Sequence, residues 1–208
     1  MKNVVAMDLS LRSSGLTYFR NGKLTKYDIV DFKPPLNHEA LLIANSEAIA
    51  DFVEKCFPTG IDVLAIERFS FGACSGEKDM LYSGYWAVRM ELFRRGLSLS
   101  FPITDISVNT WRSPLFNKAE RTELKEAAAR YKNEKIPTKG LKGTARKEAL
   151  AKNKDLATAS CIKTATVKKL PDDIREEFDE FIRKTKRSDT QIFDLTDSFF
   201  LGVYMLGR

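Results

Sequence analysis

Four carboxylates stand where the surrounding pattern predicts burial. Asp8 ends the apolar run in "NVVAMDLSLRSSGLTYF" (residues 3–19), and Glu67 ends "IDVLAIE". Asp194 and Asp197 fall in the closing apolar segment "DTQIFDLTDSFFLGVYMLGR". Burying an Asp is costly unless a basic side chain or a metal meets it. Asp194 and Asp197 are three apart, so a helix projects both from one face, among Ile192, Phe193, Leu195, Phe199, Phe200, Leu201 and Val203. Four converging acids without four bases require protons or cations between them. Mg²⁺ is the natural choice, being hard and content with carboxylates plus water, and Mn²⁺ substitutes for it. Two such ions about 4 Å apart clamp a phosphodiester, one generating hydroxide and one stabilising the leaving oxygen.

Each acid alone has a plainer reading. Asp8 is a turn former at a strand end, Asp194 caps a turn, and Asp197 pairs with an Arg. Glu67 is followed by Arg68, but strand neighbours point to opposite faces, so that pairing is poor. It is the ordered set that points to metal chemistry.

The elements that must position these acids follow from the pattern. "NVVAMDL" reads as a central strand. "SGLTYFR" and "KLTKYDIVDF" flank Asn21-Gly22, the strongest short hairpin signal, so the first 32 residues predict three antiparallel strands. After "KPPL", helical spacing of Leu41, Leu42, Ala44, Ala48, Ile49, Phe52 and Val53 predicts a helix over about 37–57. "IDVLAIE" is the fourth strand, "RFSFGACSGEKD" a loop, 80–95 a helix ending at Gly96, and "LSLSFPITDISV" the fifth strand. "NTWRSP" leads into a helix over roughly 118–132. Residues 135–169 read as a basic, partly helical excursion with loops. "PDDIREEFDEFIRKTKR" is an amphipathic helix opening on Pro171 and acidic residues, and a last helix closes the chain. Strands joined across helices give a mixed sheet with helices on both faces. The expectation is one domain over 1–208, with a basic insertion at about 135–188.

Length allows one good core. The 34 Lys and Arg against 28 Asp and Glu give a net +6, a mild hint of a polyanionic partner. The distribution is sharper. Residues 118–169 hold 15 basic and 6 acidic residues, a surplus of +9 that leaves the remainder at −3. A solvated helical surface explains part of this, and a phosphate-contact surface is the other reading. Cys56, Cys74 and Cys161 lie far apart without a CxxC pair, so neither a zinc site nor a disulfide framework is expected. A single His, His38, argues against His-based metal sites and against Ser-His or Cys-His catalysis. No signal-peptide pattern opens the chain and no apolar run approaches about twenty residues, so a cytoplasmic protein with no membrane partner is expected.

The motifs resemble those of the RuvC-type Holliday junction resolvases, nucleases of the RNase H-like superfamily. "VVAMDLSLRSSGLTYF" is similar to the family's first strand, its metal-binding Asp and the Gly of the second strand. "DVLAIERFSFG" is similar to the fourth strand with its metal-binding Glu, and "DLTDSFFLGVY" to the terminal D-x-x-D-[AS] helix. The resemblance covers the chain outside the basic segment. The looser "ERFSFG" loop and the long basic segment look more like phage or viral members, for which the compartment is the host cytoplasm.

The resemblance implies an α/β RNase H-like fold with a five-stranded mixed sheet, three antiparallel strands then two parallel, flanked by helices. It implies a homodimeric endonuclease that uses two Mg²⁺ ions and no small-molecule cofactor. Such an enzyme nicks a four-way DNA junction at two symmetric points, leaving 5′-phosphate ends that a ligase can seal. Asp8, Glu67, Asp194 and Asp197 are then the metal ligands. The family's junction-wedging aromatic corresponds to Phe69 or Phe71, two and four residues beyond Glu67, which could equally be core. Its catalytic or phosphate-binding Lys corresponds best to Lys147 in "KGTARKEALAKN", with Lys142, Arg146 and Lys152 as rivals and Lys118 of "NTWRSPLFNK" another. "LYSGYWAVRMEL" resembles a helix that presents a small residue, Gly84, near the site. Some members carry a His by the last acid pair; none stands there in this chain, so the site is all acid.

Rival readings use the same residues. Another RNase H-like nuclease, acting on other branched DNA, on ends or on RNA, would use the same acids. A non-catalytic DNA-binding protein would bind through the basic run and keep the acids for structure. An actin-like kinase or ATPase needs a duplicated domain and a glycine-rich phosphate loop, and this sequence has neither.

Overall fold

Five consecutive buried residues, VVAMD, make β1 (Val4–Asp8) the centre of the sheet. In the computed structural model, which describes residues 2–10, 13–31, 37–68 and 78–207 (the side chains of 78 and 80 excepted), β2 (Ser13–Arg20) and β3 (Lys23–Asp31) follow as antiparallel neighbours. Asn21 and Gly22 between them take φ of 51° and 80°, the left-handed pair that a two-residue hairpin demands. β4 (Val63–Arg68) runs parallel to β1, and β5 (Ile103–Ser107) parallel to β4. The sheet order is β3-β2-β1-β4-β5, three antiparallel strands and two parallel ones, as expected.

Alternation assigns the faces. Val5, Met7, Leu16, Tyr18, Leu64 and Ile66 point into one core. Two helices cover it: α1 (His38–Cys56), capped by the Asn37 side chain accepting from Ala40 N at 2.8 Å, and α2 (Lys78–Arg94). Ile49, Phe52, Val53, Val88 and Leu92 supply their share of that core. α2 stops at Gly96, φ 73°. The fifth strand is shorter than expected. Leu97–Leu99 form a 3-10 turn with Leu99 exposed, and regular pairing starts only after Pro102, which has no N–H to give.

α3 (Val108–Arg112) follows β5 directly. Near the other end of the chain come α7 (Asp172–Lys184) and α8 (Ile192–Leu206). α8 crosses the sheet face opposite α1, where the small residues Gly15, Ala6 and Ala65 stand. Thr17 Oγ1 donates to Ser198 O at 3.0 Å, and the Phe19 ring lies against Gly202. α7 turns its apolar stripe to Tyr27, whose ring meets Phe178 and Phe181 at 5.0 and 5.2 Å. That burial, with Glu177 beside it, pushes the Tyr27 phenol up to about 12.

The chain divides into two units, Met1–Arg112 with Pro171–Arg208, and Ser113–Leu170. The second contains α4 (Lys118–Glu134), opened by a capping box between Asn117 and Glu120, α5 (Gly143–Ser160) and α6 (Ile162–Val167). It is more helical than expected. Asn153 receives Ile136 N at 2.8 Å and donates to Ile136 O at 2.9 Å, tying the connecting segment to α5. Lys169 pairs with Glu120 and lies over the Phe116 ring. The boundaries are 113 and 170 rather than 135 and 188, because Phe178 and Ile182 of α7 are buried in the first unit. The +9 charge surplus falls wholly within Ser113–Leu170.

Among the described residues no helix is long and apolar enough to cross a membrane.

Candidate active site

Strand register places two of the acids. Met7 of β1 pairs with Ile66 of β4, so the next step of the parallel ladder sets Asp8 beside Glu67, on the face opposite Met7 and Ile66. Asp8 is 8 % exposed. On its other side Asp8 pairs with Gly15 of β2, and a Cβ on Gly15 would stand 1.9 Å from the carbonyl oxygen of Asp194. The missing side chain of Gly15 is therefore the seat of the first turn of α8, and it brings Asp194 to the cross-strand neighbour of Asp8. Asp197, one turn on, is 2 % exposed.

The start of α8 is held from outside the acid group. Gln191 Nε2 donates to Asp31 Oδ2 at 2.8 Å and to Ser13 Oγ at 3.1 Å. Arg187 meets Asp31 at 3.3 Å and stacks over Phe181. These contacts fix where Asp194 and Asp197 begin relative to the open end of β2.

Two residues of α3 take hold of the other acids. Trp111, 1 % exposed, donates its indole N–H to Glu67 Oε2 at 2.8 Å. Arg112 donates from Nη2 to Asp197 Oδ2 at 2.7 Å, and its guanidinium lies 4.7 Å from the centre of the Trp111 ring. Consecutive residues thus bind carboxylates from a strand and from a helix.

The pairing of Asp197 with an Arg is the plainer of the two readings its position offered. The acid group is not left for metal alone to neutralise, because Arg112 brings a cation of the chain's own to Asp197. Among the described residues, no three His, Cys, Asp or Glu side chains stand close enough together to hold a metal ion. The chemistry of the donor set nevertheless suits a hard divalent ion: strand register and the close approach of α8 at Gly15 bring carboxylates of β1, β4 and α8 to one end of the sheet.

Of the remaining expected site residues, Phe69 and Phe71 lie outside the described residues. Gly84 faces Leu42 of α1 and, with Leu9, Ser10 and Ser14, lines a small cavity on the α1 side of the sheet. Lys118, Lys142, Arg146, Lys147 and Lys152 are all exposed and all belong to the Ser113–Leu170 unit. Cys56 is buried, its thiol pushed up to about 11 by that burial, which leaves it inert at neutral pH. Trp111 and Arg112 were in view in the sequence as "NTWRSP", read there only as a lead into a helix.

No family model matches the chain, and no curated protein matches it in sequence. Among solved structures it is similar to RuvC of Thermus thermophilus in complex with a Holliday junction substrate, at 14% identity and TM-score 0.43, over 76% of this chain and 95% of that one. It is similar to the Fowlpox virus resolvase in its complex with Holliday junction DNA, at 9% identity and TM-score 0.40, over 99% and 97%. The yeast mitochondrial Holliday junction resolvase Ydc2 matches at 13% identity and TM-score 0.41, over 85% and 84%. What decides the fold is the chain's own sheet, ordered β3-β2-β1-β4-β5 with only β2 antiparallel to both its neighbours. The fold is RNase H-like.

Proposed function

We propose that this chain is a divalent-metal-dependent DNA endonuclease that cuts four-way junctions. The observation that carries the reading is the meeting of Asp8 with Glu67 across the parallel ladder, and of Asp194 with Gly15, the cross-strand partner of Asp8. Asp8 is buried, with Glu67 and Asp194 half-buried beside it, and grouping carboxylates out of water is costly unless cations meet them.

Asp8, Glu67, Asp194 and Asp197 would hold Mg²⁺ or Mn²⁺. When bound, the ion supplies an activated water and offsets charge at the leaving oxygen. The chain's own residues do the rest. Gly15 lets the α8 backbone approach the strand, and Trp111 orients Glu67. The net reaction adds water across a P–O3′ bond, leaving a 5′-phosphate and a 3′-hydroxyl. The basic unit, with Lys147 and its neighbours Lys142, Arg146 and Lys152 on or at the start of α5 and Lys118 on α4, is suited to the phosphate backbone. Phe69 or Phe71 is the candidate wedge between unstacked bases. Paired symmetric nicks require two copies of the site, so a homodimer belongs to the reading.

The test is incubation with a four-way junction, a flap, an RNA–DNA hybrid and a linear duplex, each in Mg²⁺, Mn²⁺ or EDTA. Paired nicks on the junction, abolished by EDTA, with little attack on duplex, are the expected result. Equal cutting of the hybrid or end-dependent digestion would assign the same acids to another nuclease activity. Binding without cleavage in any metal would leave a DNA-binding protein.

A further inference from the structure

The ion pair between Arg112 and Asp197 is not built like a permanent structural one. Its side chains are 13% and 2% exposed, yet a single Nη reaches a single carboxylate oxygen. Arg112 Nε is buried with no hydrogen-bond partner among the described residues. A structural Arg–carboxylate pair normally uses the guanidinium fork in two parallel bonds. The guanidinium also lies over the face of Trp111 while it holds Asp197, and the Trp111 N–H is committed to Glu67. A divalent ion ligated by Asp197 and the guanidinium now on Oδ2 repel one another at short range in a poorly solvated place.

We propose that Arg112 is a resident counter-cation that a divalent ion must displace from Asp197. This rests on the metal-dependent reading of the site. In the metal-free protein the arginine holds Asp197 and makes the burial of the acids tolerable. When an ion takes the carboxylate, the guanidinium moves off it while its stem stays anchored beside Trp111. The freed positive charge then faces an anionic substrate, so nucleic acid and metal bind with positive coupling, each raising the affinity of the other.

Calorimetric titration of the full chain with Mn²⁺ alone tests this, using the wild type, Arg112→Gln and Arg112→Lys. Removing the competing charge is expected to tighten Mn²⁺ binding by about ten-fold or more in Arg112→Gln, with Arg112→Lys close to wild type. Unchanged or weaker binding in Arg112→Gln, with the wild type taking up Mn²⁺, would overturn the inference and leave the nuclease reading standing. No uptake by either protein would remove both. Should Arg112→Gln not fold, fluorescence gives the same answer, because the chain has two tryptophans and Trp86 is exposed. In Trp86→Phe, Mg²⁺ is expected to change Trp111 emission as the guanidinium leaves its position. Emission that stays constant through saturating Mg²⁺ would overturn the inference.

Discussion

The carbonyl oxygen of Asp194 closes on Gly15 so tightly that a Cβ at residue 15 would stand 1.9 Å from it and 2.2 Å from the carbonyl carbon. Both neighbours are helix backbone, which cannot rotate away. Gly15→Ala must therefore lift the first turn of α8 from the sheet. Overpacking of this kind costs about 3 kcal/mol. Chemical denaturation should show that loss, and junction cleavage should fall with it. Gly202→Ala meets the buried Phe19 ring at 2.3 Å, so it should also lose stability, but it presses on a side chain and not on the backbone that carries Asp194.

Trp111→Phe keeps an aromatic ring but removes the N–H that Glu67 Oε2 accepts. A buried hydrogen bond to a charged group contributes about 2 kcal/mol. A urea-unfolding comparison should show a loss of that order. Metal titration of the same variant should show weaker uptake, since Glu67 is no longer oriented.

Stability should also depend on acid in a defined window. Arg94 and then Arg95, hydrogen-bonded to Glu91, hold its carboxyl at about 2, below its ordinary value, against the opposing effect of burial. A carboxylate depressed in the folded state stabilises the fold above its unfolded pKa, about 4.3, and that contribution fades as pH falls toward 2. Thermal midpoints measured between pH 5 and pH 2, at points about one unit apart, should fall more steeply for the wild type than for Glu91→Gln. Parallel profiles would mean that Glu91 does not carry the effect.

If the Ser113–Leu170 unit contacts phosphates, its charges should govern salt dependence. Combined Arg146→Ala and Lys147→Ala should weaken junction binding across sequences. The slope of log affinity against log salt should fall by about 1.8 for two lost phosphate contacts. An unchanged slope would place those side chains in solvent.

How much of this was legible depends on the range of each signal. The hairpin was, because Asn21-Gly22 is a local signature of its own turn. The burial of Asp8 and Asp197 was, because each interrupts an apolar run, whereas Glu67 and Asp194 are only half-buried. The end of α2 was visible at Gly96. The start of the fifth strand was not, since Leu97 and Leu99 alternate like strand residues while the fold leaves Leu99 exposed. The helices of the basic unit were underestimated because Gly140 and Gly143 interrupt a polar pattern, and the tie from Asn153 to Ile136 joins residues 17 apart. The grip of Arg112 on Asp197 spans 85 residues and leaves no local mark. Only the folded sheet brings α3 and α8 to the same end.

In the proposed nuclease, β1, β4 and α8 supply one set of acids to one cleavage site. Its most direct test is the rate at which Asp8→Asn, Glu67→Gln, Asp194→Asn and Asp197→Asn nick a four-way junction in Mg²⁺, measured beside junction binding in EDTA. A fall of about a thousand-fold or more is expected in each, with binding retained or tightened as negative charge is removed. Cleavage at the wild-type rate by any folded member of the four would contradict it.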